Sequence, residues 1–278
     1  MRQVEANSLL CVGLDPLVEK IPEGFSGAGK TIAERVGVWM KCVVNNTAPF
    51  ASMFKPQSAH WEAIHGGVEA LAGVVDFIHH RWPGIPVFLD CKRGDIDRTQ
   101  ERYRLAHLDM LGADGMNFSP YMGDETIAAL VDKDNPGKAI VAVCYTSNKG
   151  GRRFQDALLS DNRPLWEHIA EWTLQWAKEL GIVADAGLVM ASAYENPKGS
   201  GNIYSEHLVR CRQLVGDKLW FLIPGIGTQG GFVEETVRAS YKGPGSIAIN
   251  SSSGIIFAED PAGAARSLRD SINSALNT

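Results

Sequence analysis

The sequence predicts a closed α/β barrel, a (β/α)8 TIM barrel of eight parallel strands each followed by a helix, as one domain over residues 1–278. Three observations carry that expectation. Eight short apolar runs of strand length alternate with longer stretches whose apolar residues recur at helix spacing. Most runs end abruptly in charged, glycine or hydroxyl residues, as strands do where a barrel opens its C-terminal face to a ligand. The pattern Gly225-Ile-Gly-Thr-Gln-Gly follows the seventh run, where barrels often place a phosphate site, and not the first, where an open doubly wound sheet would need it. Those glycines are a weak signal alone, since a plain turn explains them about equally well.

Residues 9–13 form the first run and leave Asp15 just past its end, before Pro16. A loop at 24–29 precedes a helix opening at Thr31, with Ile32, Val36, Trp39, Met40 and Val43 on one face. The second strand, 51–55, closes on Lys55, and a helix over 59–80 carries Ile64, Val68, Leu71, Val75 and Ile78. Residues 86–89 are the third strand, followed by a helix at 98–111 and a strand at 115–118 that leaves through Ser119-Pro120-Tyr121. A short helix is expected at 124–131, a strand at 139–143, a polar basic loop at 144–153 and an amphipathic helix at 165–180. The sixth strand, 186–190, leads to a loop at 196–202 and a helix at 205–214. Strands at 219–223 and 246–249 complete the eight, the last exiting through Asn250-Ser-Ser-Ser-Gly into a helix at 261–276.

Hydrophobic residues make up 45% of the chain, enough for a large core, and a net charge of -5 supplies no basic field for nucleic acid. No apolar stretch approaches the roughly 18 residues of a membrane span, and no signal-peptide pattern precedes the first strand, so a cytoplasmic protein is expected. Five scattered cysteines without a Cys-x-x-Cys pair fit neither a disulfide framework nor a structural zinc site. No metal site is expected.

The chemistry concentrates where the third strand ends, in Asp90-Cys-Lys-Arg-Gly-Asp-Ile-Asp-Arg-Thr. In extended backbone Asp90 and Lys92 share one side while Cys91 faces the other, as a structural thiol, and Gly94 supplies a tight turn. A solvated strand end is the bland reading, and it accounts for most such clusters. Packed into one pocket, however, these charges hold a lysine protonated and repel an anion beside Asp90. An enzyme that expels carbon dioxide and stabilises the carbanion left behind requires that pairing.

With these stretches assembled, the chain resembles the orotidine 5'-phosphate decarboxylase family, in its longer bacterial subgroup, over nearly its whole length. The carriers are Val-Gly-Leu-Asp-Pro at 12–16, Phe-Lys-Pro-Gln-Ser-Ala at 54–59, Asp-Cys-Lys-Arg-Gly-Asp-Ile at 90–96 with Thr99, Thr-Ser-Asn at 146–148 and Ile-Pro-Gly-Ile-Gly-Thr-Gln-Gly-Gly at 223–231. The resemblance implies a cofactor-free homodimer with shared active sites, acting on a small pyrimidine nucleotide or nucleoside. It makes Lys55, Asp90, Lys92 and Asp95 an alternating charge network, Asp95 reaching into the partner's site and Lys92 protonating pyrimidine C6 as general acid. It assigns Asp15, Lys55 and Thr99 to the ribose hydroxyls, Ser147 to the pyrimidine edge and Ile96 to the wall near the departing carbon dioxide. Singly, Asp15 reads as a turn initiator, Thr99 as a first-turn helix residue and Ser147 as loop composition.

The phosphate end departs from the resemblance. The family's arginine after the eighth strand corresponds to Ser253, beside Ser252, and Gln229 with the Gly230 and Gly231 amides are left as neutral donors. Lys149, Arg152 or Arg153 would supply the missing charge from another loop, or the ligand would differ at its 5' end; a solvated basic loop is the competing reading for the arginines. The alternatives are therefore a paralogue acting on a modified or unphosphorylated nucleoside, a metal-using sugar-phosphate relative of the same superfamily, or a silent nucleotide-binding protein.

Overall fold

The computed structural model describes residues 2–226 and 232–277. Its strands are β1 (Leu10–Leu14), β2 (Met53–Pro56), β3 (Phe88–Arg93), β4 (Gly115–Phe118), β5 (Ala139–Tyr145), β6 (Ala186–Met190), a hairpin of β7 (Tyr194–Glu195) and β8 (Ile203–Tyr204), then β9 (Trp220–Ile223) and β10 (Ile247–Ser251). All but the hairpin form one parallel sheet in the order β2-β1-β10-β9-β6-β5-β4-β3. Parallel bridges from Phe54 to Val87 and from Gln57 to Asp90 draw β2 against β3, bringing the two edges together as a barrel.

Helices cover the outside: α1 (Arg2–Glu5), α2 (Ile32–Thr47), α3 (Ser58–Glu62), α4 (Gly67–Arg81), α5 (Asp97–Arg104), α6 (Glu125–Ala128), α7 (Lys149–Gln155), α8 (Leu165–Leu180), α9 (Glu206–Val215), α10 (Val233–Ser240), α11 (Ser253–Ile256) and α12 (Pro261–Ala275). Thr31 caps α2 in a capping box with Glu34, which fixes the start that its sequence predicts. Among the described residues no helix is long and apolar enough to cross a membrane.

The two-residue period of the strands divides the core. Cys11, Met53, Phe88, Val141, Val189, Leu222 and Ala248 fill the barrel interior, while Leu10, Val12, Phe54, Leu89, Met116 and Phe118 face the helices. One step further along the inward register come Gly13, Lys55, Asp90 and Asn117, so the same alternation that packs the interior raises the polar residues to the barrel's mouth.

Three expectations are corrected. The helix expected over 59–80 is two helices, because Gly66 adopts a left-handed φ of 75° and the chain folds back over Trp61. At Gly67 a side chain would collide with the Trp61 carbonyl, the ideal Cβ lying 2.1 Å from that oxygen. The stretch 144–153 is not all loop: β5 runs on to Tyr145, and α7 begins at Lys149. Its two glycines lower helix propensity, but a Cβ at Gly151 would fall 2.6 Å from Thr146 Oγ1, so close packing sets that residue. Lastly, the third strand does not stay extended through Lys92, whose φ is 47°, so the left-handed residue of this strand is Lys92 itself and Gly94 keeps a negative or extended φ. Gly94 instead lets the chain pass Ser119, whose Cβ would stand 3.0 Å from an added Cβ.

Candidate active site

Asp90 is the hub. Its Oδ2 accepts a hydrogen bond from Lys55 Nζ at 3.1 Å, and its Oδ1 accepts from Lys92 Nζ at 2.5 Å and from Asn117 Nδ2 at 2.7 Å. Burial works against the carboxylate, but the two lysines and the Lys92 and Asn117 hydrogen bonds outweigh it and bring the Asp90 pKa down to about 2. Burial likewise opposes the Lys55 charge, and the neighbouring Asp15 and Asp90 carboxylates overcome it, leaving the ammonium more firmly protonated than usual. Lys92 is less enclosed, its side chain 46% exposed, so its ammonium stands at the open side of the cluster.

Asp15 approaches from β1. Its Oδ1 accepts the Gln57 N–H at 3.1 Å, while Trp61 Nε1 donates to the Leu14 carbonyl at 2.9 Å and pins the strand end beneath it. Ser252 also reaches this rim, packed so closely on Gly13 that a Cβ there would lie 1.8 Å from its Oγ. A carboxylate between two ammonium groups, with a second carboxylate beside the inner lysine, fixes protons in place and presents one cation toward the mouth.

The comparisons with known proteins bear on this geometry. Residues 8–268 match the family model described as "Orotidine 5'-phosphate decarboxylase / HUMPS family". The chain belongs to that family. A relative from Cupriavidus necator named orotidine 5'-phosphate decarboxylase is 37% identical over 275 residues, covering 96% of this chain and 93% of its own. One of the same name from Ralstonia pickettii is 36% identical over 279 residues, covering 98% and 95%. The solved structure of Leishmania donovani OMP decarboxylase superposes with a TM-score of 0.80 at 32% identity, covering 100% of this chain and 98% of that one.

Within the family's barrel, one chain gathers only part of the predicted set. Lys55, Asp90 and Lys92 are joined directly, and Asp15 stands beside Lys55. Asp95 makes no ion pair with Lys92 of its own chain; its Oδ1 turns back to the Ile96 N–H at 2.8 Å, and its own N–H goes to Gln100 Oε1. Ile96 and Thr99 are exposed and line an open groove with Arg98, Glu101 and Arg104, away from Asp90. Ser147 is exposed in the short turn between β5 and α7. Gln229 and Gly230 lie outside the described residues.

The basic loop is divided. Lys149 and Arg153 are exposed, whereas the Arg152 guanidinium lies 4.3 Å over the Tyr194 ring and lines a cavity of about 480 Å³ with Tyr145, Tyr204 and His207. Ser253 is exposed at the first position of α11. Cys91, expected to face away as a structural thiol, donates from Sγ to the Asn117 carbonyl at 3.4 Å, and burial pushes its pKa up to about 12.

Two residues at the site were not anticipated. Asn117 bonds Asp90 directly, and its signal was a polar residue at an inward position of the apolar strand Gly-Met-Asn-Phe. Buried Gln155 accepts the Thr146 N–H at 2.9 Å and donates to Thr146 Oγ1 at 2.9 Å, holding the Ser147 turn; nothing local in the sequence marks it.

Proposed function

We propose that this chain decarboxylates orotidine 5'-phosphate to UMP without a cofactor, as a single-domain cytoplasmic homodimer. The observation that carries the reading is the Lys55–Asp90–Lys92 chain, a buried Lys55–Asp90 pair with Lys92 at its open side, at the C-terminal mouth of a barrel of this family. Asp90 is held ionised, so a substrate carboxylate beside it is repelled, and the repulsion ends when that group leaves as neutral carbon dioxide. The bond from C6 to the carboxylate carbon breaks with its electrons left on C6. Lys92 stabilises that carbanion and gives it a proton, later recovering one from water. Lys55 and Asp15 are suited to the ribose hydroxyls, with Ser147 on the pyrimidine edge.

Asp95, Ile96 and Thr99 act from the partner subunit in this reading. Support comes from an Asp95 carboxylate that pairs with no cation of its own chain among the described residues, and from Ile96, Tyr121, Met122 and Phe154, all exposed on the segments after β3, β4 and β5. Equilibrium sedimentation checks the dimer directly.

A second reading has its own observation. Ser253 places a neutral hydroxyl where the family resemblance has an arginine, which favours a ligand that is unphosphorylated or differently modified at its 5' end. Turnover of orotidine 5'-phosphate and of orotidine, each by the wild type and by Lys92→Ala, tests both. Preference for the phosphate and loss of turnover in Lys92→Ala are expected. Orotidine as the better substrate would replace the first reading with the second, and turnover retained by Lys92→Ala would remove the proposed acid.

A further inference from the structure

We infer that Asn117 is a positioning residue, the group that aims Lys92 at the reacting carbon. The β3–β4 ladder pairs Phe88 with Gly115 and Leu89 with Met116, then resumes only at Arg93 with Phe118. Asp90, Cys91 and Lys92 therefore face the single residue Asn117 across a bulge, where backbone N–H groups lose their ladder acceptors. The Asn117 side chain replaces those acceptors. Its Oδ1 takes the Cys91 N–H at 2.8 Å and the Lys92 N–H at 2.7 Å, while its Nδ2 donates to Asp90 Oδ1 at 2.7 Å. At 1% exposure it has no water to fall back on.

This single carboxamide does two things together. It holds Lys92 at φ 47°, a left-handed conformation that a lysine adopts only when its surroundings impose it. That kink folds the Lys92 side chain back so that Nζ meets the same Asp90 oxygen that Asn117 binds. Two N–H donors at one end and a carboxylate at the other suit an acceptor and a donor on separate atoms of one short planar group, which a carboxamide has; a hydroxyl must accept and donate through a single oxygen, and an aliphatic side chain does neither.

The kinetic consequence rests on the decarboxylase reading above; the chemical one does not. In Asn117→Ala the turnover number should fall about 100-fold, the scale of a misplaced reacting group, while KM changes little because Asn117 bonds Cys91, Lys92 and Asp90 and not Lys55 or Asp15, the groups suited to the ribose hydroxyls. Asn117→Asp separates positioning from packing. Its ionised carboxylate would face Asp90 and undo the arrangement, but its protonated form has the same acceptor and donor pattern as the amide. Activity of this variant should therefore rise about tenfold for each pH unit lowered while the introduced carboxyl is ionised, a limb the wild type lacks.

Acylation of Lys92 by acetic anhydride, followed by peptide mass and with circular dichroism confirming the fold, needs no substrate. Release of the kink should speed modification of Lys92 severalfold in Asn117→Ala. An active wild type whose kcat is unchanged in Asn117→Ala, no added pH limb in Asn117→Asp, or unchanged Lys92 acylation would each overturn the assignment. If the wild type turns over no orotidine 5'-phosphate, the functional reading fails, and the acylation rates still decide the role of Asn117.

Discussion

Lys55 Nζ and Asp90 Oδ2 lie 3.1 Å apart with both side chains almost wholly withdrawn from solvent. A pair so placed costs desolvation of both ions, and it is repaid only while both are present. Lys55→Met should therefore destabilise the fold by about 3 kcal/mol, since Asp90 keeps only one of its two cations. The urea midpoint measures this; an unchanged midpoint would show that the pair contributes nothing to stability.

Acid should act on the same carboxylate. The Asp90 pKa is about 2 in the folded chain against 3.8 for the ordinary group, so the unfolded chain binds more protons between those values. Its contribution, about 2 kcal/mol, is fully present above pH 4 and is lost as pH falls through about 2. Denaturant titrations of wild type and Asp90→Asn at several acidic pH values should show that this increment is confined to the wild type.

A second acid-sensitive element is His207. Burial lowers its pKa from 6.5 to about 4. Its Nε2 donates to the Ala191 carbonyl at 2.8 Å, and its ring stacks on Tyr204 with centroids 5.3 Å apart. The unfolded chain takes up a proton below pH 6.5 that the folded one resists, so about 3 kcal/mol present above that pH disappears as pH falls through about 4. In His207→Gln the slope of stability against pH in this window should flatten, whatever the variant's absolute stability.

Arg212 ties the barrel together on the side away from the mouth. Buried against Phe221, it donates to the carbonyls of Gly216, Leu219, Ser240 and Ser246 at 2.6 to 2.9 Å, joining the segments around α9, β9, α10 and β10. Arg212→Leu leaves those acceptors without their donor and should cost about 3–5 kcal/mol. Arg212→Lys should recover little of it, because an ammonium cannot span four carbonyls fixed by a planar fork. Thermal unfolding of the two variants provides the comparison.

Ser253→Arg should improve kcat/KM for orotidine 5'-phosphate by about 100-fold, the worth of about 2–3 kcal/mol for a charged hydrogen-bond partner, and leave orotidine unaffected. Equal effects on both substrates would show that the arginine acts on something other than the phosphate.

Much of this protein was legible before folding. Strand alternation, helix spacing and the abrupt polar exits are local properties, and they placed all eight barrel strands within a few residues. The motif stretches did the same for the hub, because Lys55 and Asp90 each sit two residues beyond an inward apolar residue of its strand, Met53 and Phe88. Local spacing was less informative at Lys92. An extended strand would bring it beside Asp90 by alternation, whereas a left-handed kink at Lys92 is what does so.

What the sequence determined by itself is the alternating pattern that raises a lysine and a carboxylate to one end of a barrel, since a period of two along each strand needs no knowledge of its neighbour. Only the tertiary structure decided how the charges are aimed. Asn117 lies on β4, and its amide reaches back across the bulge to the backbone of Cys91 and Lys92. A hydrogen bond between strands about 25 residues apart depends on register and local twist, which no single segment encodes.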